Sequence, residues 1–202
     1  MAELTETKYL CVDLEMSGGI PGVHDIIQIG AVLLNEDFEE VSSFDTLIFP
    51  ENEEDFDPGS SRVHGISRFE LNDAPSLDET LEDLEDWLAD EAGYSSRKAM
   101  RGLKICGQGI NNDISFLKAS YHTINLSWPF AYQFLDLQDM TFMYAHMLKK
   151  NDLPAPEKLN LNSIGDFFGV ERERDKHDAL EDARLTARCF AALMARVGQI
   201  KL

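Results

Sequence analysis

The sequence predicts an α/β domain, a mixed β-sheet flanked by helices, and three observations carry that prediction. Short apolar, β-branched runs fill the first third of the chain. Beyond it the apolar spacing changes to the three- and four-residue steps of a helix face, and helix and strand patterns then alternate. A 44% hydrophobic content over 202 residues supplies the core of one domain, and residues 1–202 are expected to form a single one.

The elements follow in order. Tyr9 to Leu14 and Ile26 to Leu34 read as strands, separated by the turn chemistry of Gly18-Gly19-Ile20-Pro21-Gly22, and Phe44 to Phe49 alternates as a third. Leu77, Leu81, Leu84 and Leu88 mark one face of a helix, with Ser76 and Glu79 placed as a capping box and Gly93 as its stop. Leu103 to Gly107 is a further strand, followed by a helix from Asn111 to Tyr121. Phe134-Leu135 leads into Asp136, a helix cap before Leu137 to Lys149. Asn151 to Pro156 is a loop, Leu161 to Phe168 a short helix closed by Gly169, and Ala179 to Val197 a long amphipathic helix.

Eighteen basic residues against thirty-seven acidic ones leave a net charge of −19, which excludes a nucleic-acid binder that works through a broad positive surface. It does not exclude a nucleic-acid enzyme whose carboxylates hold cations. Residues 51–91 carry fifteen acids and two bases, the pattern of a solvated loop and a charged outer helix face. The bases gather elsewhere, in Arg97, Lys98, Arg101 and Lys104, and in Arg172, Arg174, Lys176, Arg184 and Arg188. Cys11, Cys106 and Cys189 lie far apart in apolar runs and are expected to be buried thiols in a reducing compartment. No apolar window is long enough for a membrane span and the first ten residues carry no secretory pattern, so a cytoplasmic protein is expected.

Three segments carry carboxylates suited to chemistry. In CVDLEMSG, Asp13 and Glu15 stand two apart, so on a strand both project from one face. Two like charges side by side are costly unless neutralised, and a hard divalent cation would neutralise them; the ordinary alternative is a solvated strand end. Asp113 in GQGINNDISFL opens a helix, where an acid also serves as a cap. In HDALEDARLTARCF, His177 precedes Asp182 by five residues; an imidazole there takes a proton at neutral pH, or simply sits at the surface. Together the segments supply four carboxylates and one base, the set that a two-metal phosphodiesterase needs.

In this arrangement the chain resembles the DnaQ-like 3′–5′ exonucleases of the DEDDh type, the superfamily of RNase T, the oligoribonucleases and the proofreading exonucleases. VDLEMSG is similar to the first motif, in wording close to the oligoribonucleases, GQGINNDISFL to the second and HDALEDA to the third. IIQIGAVLL, VHGIS (Val63 to Ser67) and KLNLNSIGDFFGV resemble intervening family segments. The chain departs at Gly107-Gln108-Gly109, where the second motif commonly reads Gly-His-Asn, and at Met16, where many relatives have Thr. The resemblance implies a ribonuclease H-like fold with a five-stranded mixed sheet. It implies two Mg²⁺ or Mn²⁺ ions, bridged by Asp13 and held further by Glu15, Asp182 and Asp113, with His177 as general base. It also implies release of nucleoside 5′-monophosphates from the 3′ ends of single-stranded or short RNA or DNA. Met16, His64 and Phe116 are the expected substrate contacts. A proofreading-type subunit acting mainly through a protein partner, docked by the acidic 51–91 region, is the alternative. Relatives include dimers, which leaves a homodimer open; nothing in the sequence marks an interface.

Overall fold

In the computed structural model, residues 7–52, 56–172 and 178–199 are described. Five strands form one mixed sheet in the order β3-β2-β1-β4-β5. β1 (Tyr9–Met16) pairs antiparallel with β2 (Ile26–Leu34), and β2 antiparallel with β3 (Glu40–Leu47). On the other side β1 runs parallel to β4 (Lys104–Gly107), and β4 parallel to β5 (Phe134–Asp136). This is the ribonuclease H-like mixed sheet that the motifs implied.

Every residue of β2 is buried, because helices cover both faces of the sheet. Alternation along β1 sorts the two cores. Leu10, Val12 and Leu14 face α3 (Leu77–Ala92) and α4 (Asn111–Thr123), where Leu81, Leu84, Leu88, Phe116 and Tyr121 pack. Cys11 faces the opposite layer, built on α6 (Leu161–Phe168) and α7 (Ala179–Val197) through Ile164, Phe168, Ala183, Ala187 and Phe190. Asp13 and Glu15 share the parity of Cys11, so both carboxylates point toward the layer that holds α7. α5 (Leu137–Lys150) completes that side, and no helix among the described residues is long and apolar enough to cross a membrane.

The long elements lie where their patterns put them. Ser76 N–H and the Ser76 hydroxyl both donate to the Glu79 carboxylate, at 3.0 and 2.8 Å, and Gly93 closes α3 at φ 66°. All three cysteines are buried free thiols. The departures sit at the margins. β1 continues to Met16, two residues beyond the apolar run, so Asp13 and Glu15 lie within the ladder opposite Gly30 and Gln28. β3 begins at Glu40 because an edge strand tolerates polar residues such as Ser42 and Ser43, which mask its pattern. Two short helices, α1 (Pro58–His64) and α2 (Arg68–Leu71), interrupt the acidic stretch read as loop and outer helix face. Their signals are ordinary: Asp57 caps α1 ahead of Pro58, Gly65 ends it at φ 68°, and Ser67 and Glu70 form a capping box on α2.

Gly30 fixes how closely α7 approaches the sheet. A Cβ there would stand 2.1 Å from both the Ala179 carbonyl carbon and the Leu180 nitrogen, so only glycine lets the first turn of α7 lie against β2. Gly30→Ala is expected to destabilise the fold by about 3 kcal/mol through forced backbone displacement. A denaturant midpoint equal to the parent's would refute this contact.

Candidate active site

β1, β4 and α4 build the first half of the site. The parallel register of β1 and β4 runs from Tyr9 beside Lys104 to Cys11 beside Cys106, and β4 itself ends at Gly107. Beyond that point the Leu14 N–H donates to Asp113 Oδ1 at 3.2 Å, so a carboxylate from α4 is tied to the backbone between Asp13 and Glu15. The turn that delivers Asp113 is held by Asp136, which caps α5 through Gln138 N–H at 2.8 Å and also accepts from Gly109 and Ile110 N–H, each at 3.1 Å.

α7 brings the second half. Asp178 caps it, accepting from Glu181 N–H at 3.2 Å, and Asp182 lies on its first turns, 6% exposed. Gln28, facing Glu15 across the ladder, clamps this end of the helix. Its Nε2 donates to Asp45 at 2.9 Å and to Asp178 at 3.3 Å, while its Oε1 accepts the Ala179 N–H at 3.3 Å. Asp182 also accepts from Arg172, whose second guanidinium nitrogen donates to Asn162 Oδ1 at 3.1 Å.

The result is a group of carboxylates gathered from both ends of the chain. Asp13, Glu15 and Asp182 each place one oxygen within 4.8 Å of the others. Burial, and then the like charges of Asp113, Asp182 and Glu15, push the Asp13 carboxyl well above the usual carboxylate range. Burial, with Asp136 adding repulsion, raises Asp113 to about 7 against the hydrogen bonds that oppose it. The donor set is all hard oxygen, and the crowded negative charge is what a divalent cation relieves, so these residues fit Mg²⁺ or Mn²⁺. Asp113 stands beside the trio, its Oδ1 engaged by Leu14.

The remaining expected residues fall into different settings. His177 lies outside the described residues, as do Arg174 and Lys176. Met16 is half-buried at the end of β1, just past a register shift, and packs on the main core. Phe116 is 1% exposed within that core. His64 is also 1% exposed; its Nδ1 accepts the Ile66 N–H at 2.9 Å and its ring meets Phe56 edge-on at 6.2 Å. Both side chains are packed in the interior of this structure. Gln28 and Gly30 are positioning groups that the motif reading passed over, while Arg172, one of the bases that stood out in the sequence, lies on Asp182. A polar amide and a glycine inside IIQIGAVLL were the available signal for the first two.

Fold and site together define an exonuclease domain, and comparison with known proteins agrees. The family model described as RNase T, exonuclease, matches residues 10–190. The 3′–5′ DNA exonuclease Cap18 of Escherichia coli is 30% identical over 185 residues, which cover 90% of this chain and 89% of that one. An oligoribonuclease of Vibrio vulnificus is 24% identical over 146 residues, 67% of this chain and 74% of that one. Among solved structures, the nuclease domain of 3′hExo, a DEDDh family member bound to rAMP, superposes with a TM-score of 0.73 at 19% identity, covering 100% of this chain and 98% of the other. The chain belongs to the RNase T exonuclease family.

The raised carboxyls make metal-free stability pH-dependent. A group whose pKa is higher folded than unfolded contributes stability that is fully present below its unfolded value, near 4, and lost as pH rises through the folded value of about 7. In EDTA the melting temperature should therefore fall by several degrees between pH 5 and pH 8, and Asp113→Asn should flatten the slope. A parental slope in that variant would show that Asp113 is not the group responsible.

Proposed function

We propose that this exonuclease hydrolyses the terminal phosphodiester at the 3′ end of single-stranded or short RNA or DNA, releasing nucleoside 5′-monophosphates with two Mg²⁺ or Mn²⁺ ions. The observation that carries the reading is the convergence of Asp13, Glu15 and Asp182 within 4.8 Å from segments some 170 residues apart. Asp13, the most crowded of the carboxylates, would hold the ions together with Glu15 and Asp182, with Asp113 beside them. Bound divalent cations supply Lewis acidity, offsetting phosphate charge and acidifying water.

The chain's own groups do the rest. His177 takes the proton from the attacking water, a role suited to an imidazole that titrates near neutral pH. In the sequence it directly precedes Asp178, which Gln28 and the α7 backbone hold. Arg172, now on Asp182, supplies a cation at the rim of the site. Two relatives bear on the nucleic acid: Cap18 is a DNA exonuclease and the Vibrio protein an oligoribonuclease, so both sugars are within the proposal. The partner-docked proofreading alternative is not favoured, because a relative matched over 89% of its own length is itself an exonuclease.

Asp13→Asn and Asp182→Asn are expected to abolish mononucleotide release from 5′-labelled oligomers while leaving the melting curve cooperative. Both should also weaken Mn²⁺ binding followed by electron paramagnetic resonance; parental turnover and Mn²⁺ affinity in either would refute the cation assignment. His177→Ala should slow turnover by roughly 10² to 10⁴ with Mn²⁺ binding retained. Undiminished hydrolysis across neutral pH would give the base role to another group.

A further inference from the structure

Residues 92–135 hold five Lys or Arg residues and a single acid, Asp113, in a chain with thirty-seven acids. The structure folds part of this run into one face, away from Asp13. Lys104 starts β4 beside Tyr9, four residues or about 13 Å of strand from Asp13. Just before it, residues Arg97–Gly102 form a 3-10 turn, in which side chains three apart eclipse, so exposed Lys98 and Arg101 project together. Arg97, Lys98, Arg101, Ser127, Trp128 and Pro129 line an open groove.

The groove is built rather than incidental. Arg97 lies across its wall, donating to Glu85 at 2.7 and 3.0 Å, to Ser127 Oγ at 2.8 Å and to the Ser127 carbonyl. This neutralises the neighbouring acid of α3 and pins the loop after α4 to the 3-10 turn. That loop presents aromatic surface: the Lys118 ammonium lies 5.4, 5.7 and 5.2 Å from the ring centres of Trp128, Tyr132 and Phe134. Tyr132 is nonetheless 74% exposed. Clustered cations beside the exposed Tyr132 ring and the partly buried Trp128 match the chemistry of a single nucleic-acid strand, whose phosphates meet the cations while its bases stack without regard to sequence.

We infer that the face formed by Lys98, Arg101, Lys104, Trp128 and Tyr132 is a second contact site for single-stranded nucleic acid, gripping the strand several nucleotides upstream of the end held at the carboxylates. This rests on the exonuclease reading for its substrate. The face supplies the local attraction that a chain of net charge −19 otherwise lacks. It favours strands long enough to lie along the whole face while their end is held at the carboxylates.

The test is fluorescence anisotropy with 5′-fluorescein oligothymidylates of 4 and 16 nucleotides, in the Asp13→Asn background to prevent cleavage. Lys98→Glu with Arg101→Glu is expected to weaken binding of the 16-mer about tenfold or more and to lower its salt dependence by about 1.4 in the log–log slope, two phosphate contacts' worth. Tyr132→Ala should weaken it about tenfold without changing that slope. Affinity for the 4-mer, and 4-mer hydrolysis by the charge-reversed but otherwise native chain, should be unchanged. Parental 16-mer affinity and slope would overturn the proposal, as would equal losses on both oligomers. A salt-sensitive self-association in sedimentation, lost on charge reversal while 16-mer binding persists, would overturn it in favour of docking to an acidic protein surface. Failure of the exonuclease reading looks different: neither oligomer would be hydrolysed by the native chain, while 16-mer binding still depended on Lys98 and Arg101.

Discussion

Like charges brought together away from water repel, and that repulsion is the constraint the rest of the structure serves. Asp13, Glu15 and Asp182 approach within 4.8 Å although nothing in their own chemistry favours it. The sheet and helices impose the contact. Strand parity aims the first two at one layer, Gly30 lets α7 lie against β2 opposite Asp13, and Gln28 ties the start of that helix to the sheet. The apolar contacts of Ala183, Ala187 and Phe190 with Cys11 and Val32 hold α7 in place. Burial energy from the core thus offsets electrostatic repulsion at the site, which is how a folded protein can keep a cation site assembled in advance.

The same logic separates net charge from local charge. A total of −19 describes the field at a distance, where salt screens it. Close to the chain the surface differs by place: carboxylates that call for divalent cations at Asp13, Glu15 and Asp182, and a stretch almost free of acids over residues 92–135. Of the fifteen acids of residues 51–91, eight sit on α3 and one on α2. Charge is therefore partitioned by element, and an average over the chain conceals the partition.

Much of this was legible in the sequence because the signals were strong and local. The leucine spacing of α3 with its Ser76–Glu79 box, the Gly169 stop of α6 and the apolar face of α7 each depend on residues a few positions apart. The three motifs were legible because paired acids on a strand and acids at helix starts are unusual in combination. What escaped were relations between distant residues. Gln28 reads as a polar interruption in a buried strand until Asp178 and Ala179 are seen against it, 150 and 151 residues away. His64 in VHGIS and Phe116 in GQGINNDISFL are both 1% exposed, a burial set by the packing of Phe56 and of the main core that no local spacing reveals. The start of edge strand β3 and the short helices α1 and α2 escaped for the opposite reason, since they bury too little to impose a period on the sequence.

The departure from the usual second motif acquires a physical account. Gly109 adopts φ 63°, a left-handed backbone that favours glycine, and its N–H and that of Ile110 are taken up by Asp136. Gln108 turns away from the acids and donates to the Leu159 carbonyl at 2.7 Å, just ahead of α6. Where Gly-His-Asn would offer two polar side chains, Gly107-Gln108-Gly109 makes a tight turn braced against α5 and the α6 approach. Asp113 reaches Leu14 from that turn regardless. The backbone has kept the carboxylate in position while giving up side-chain polarity beside it.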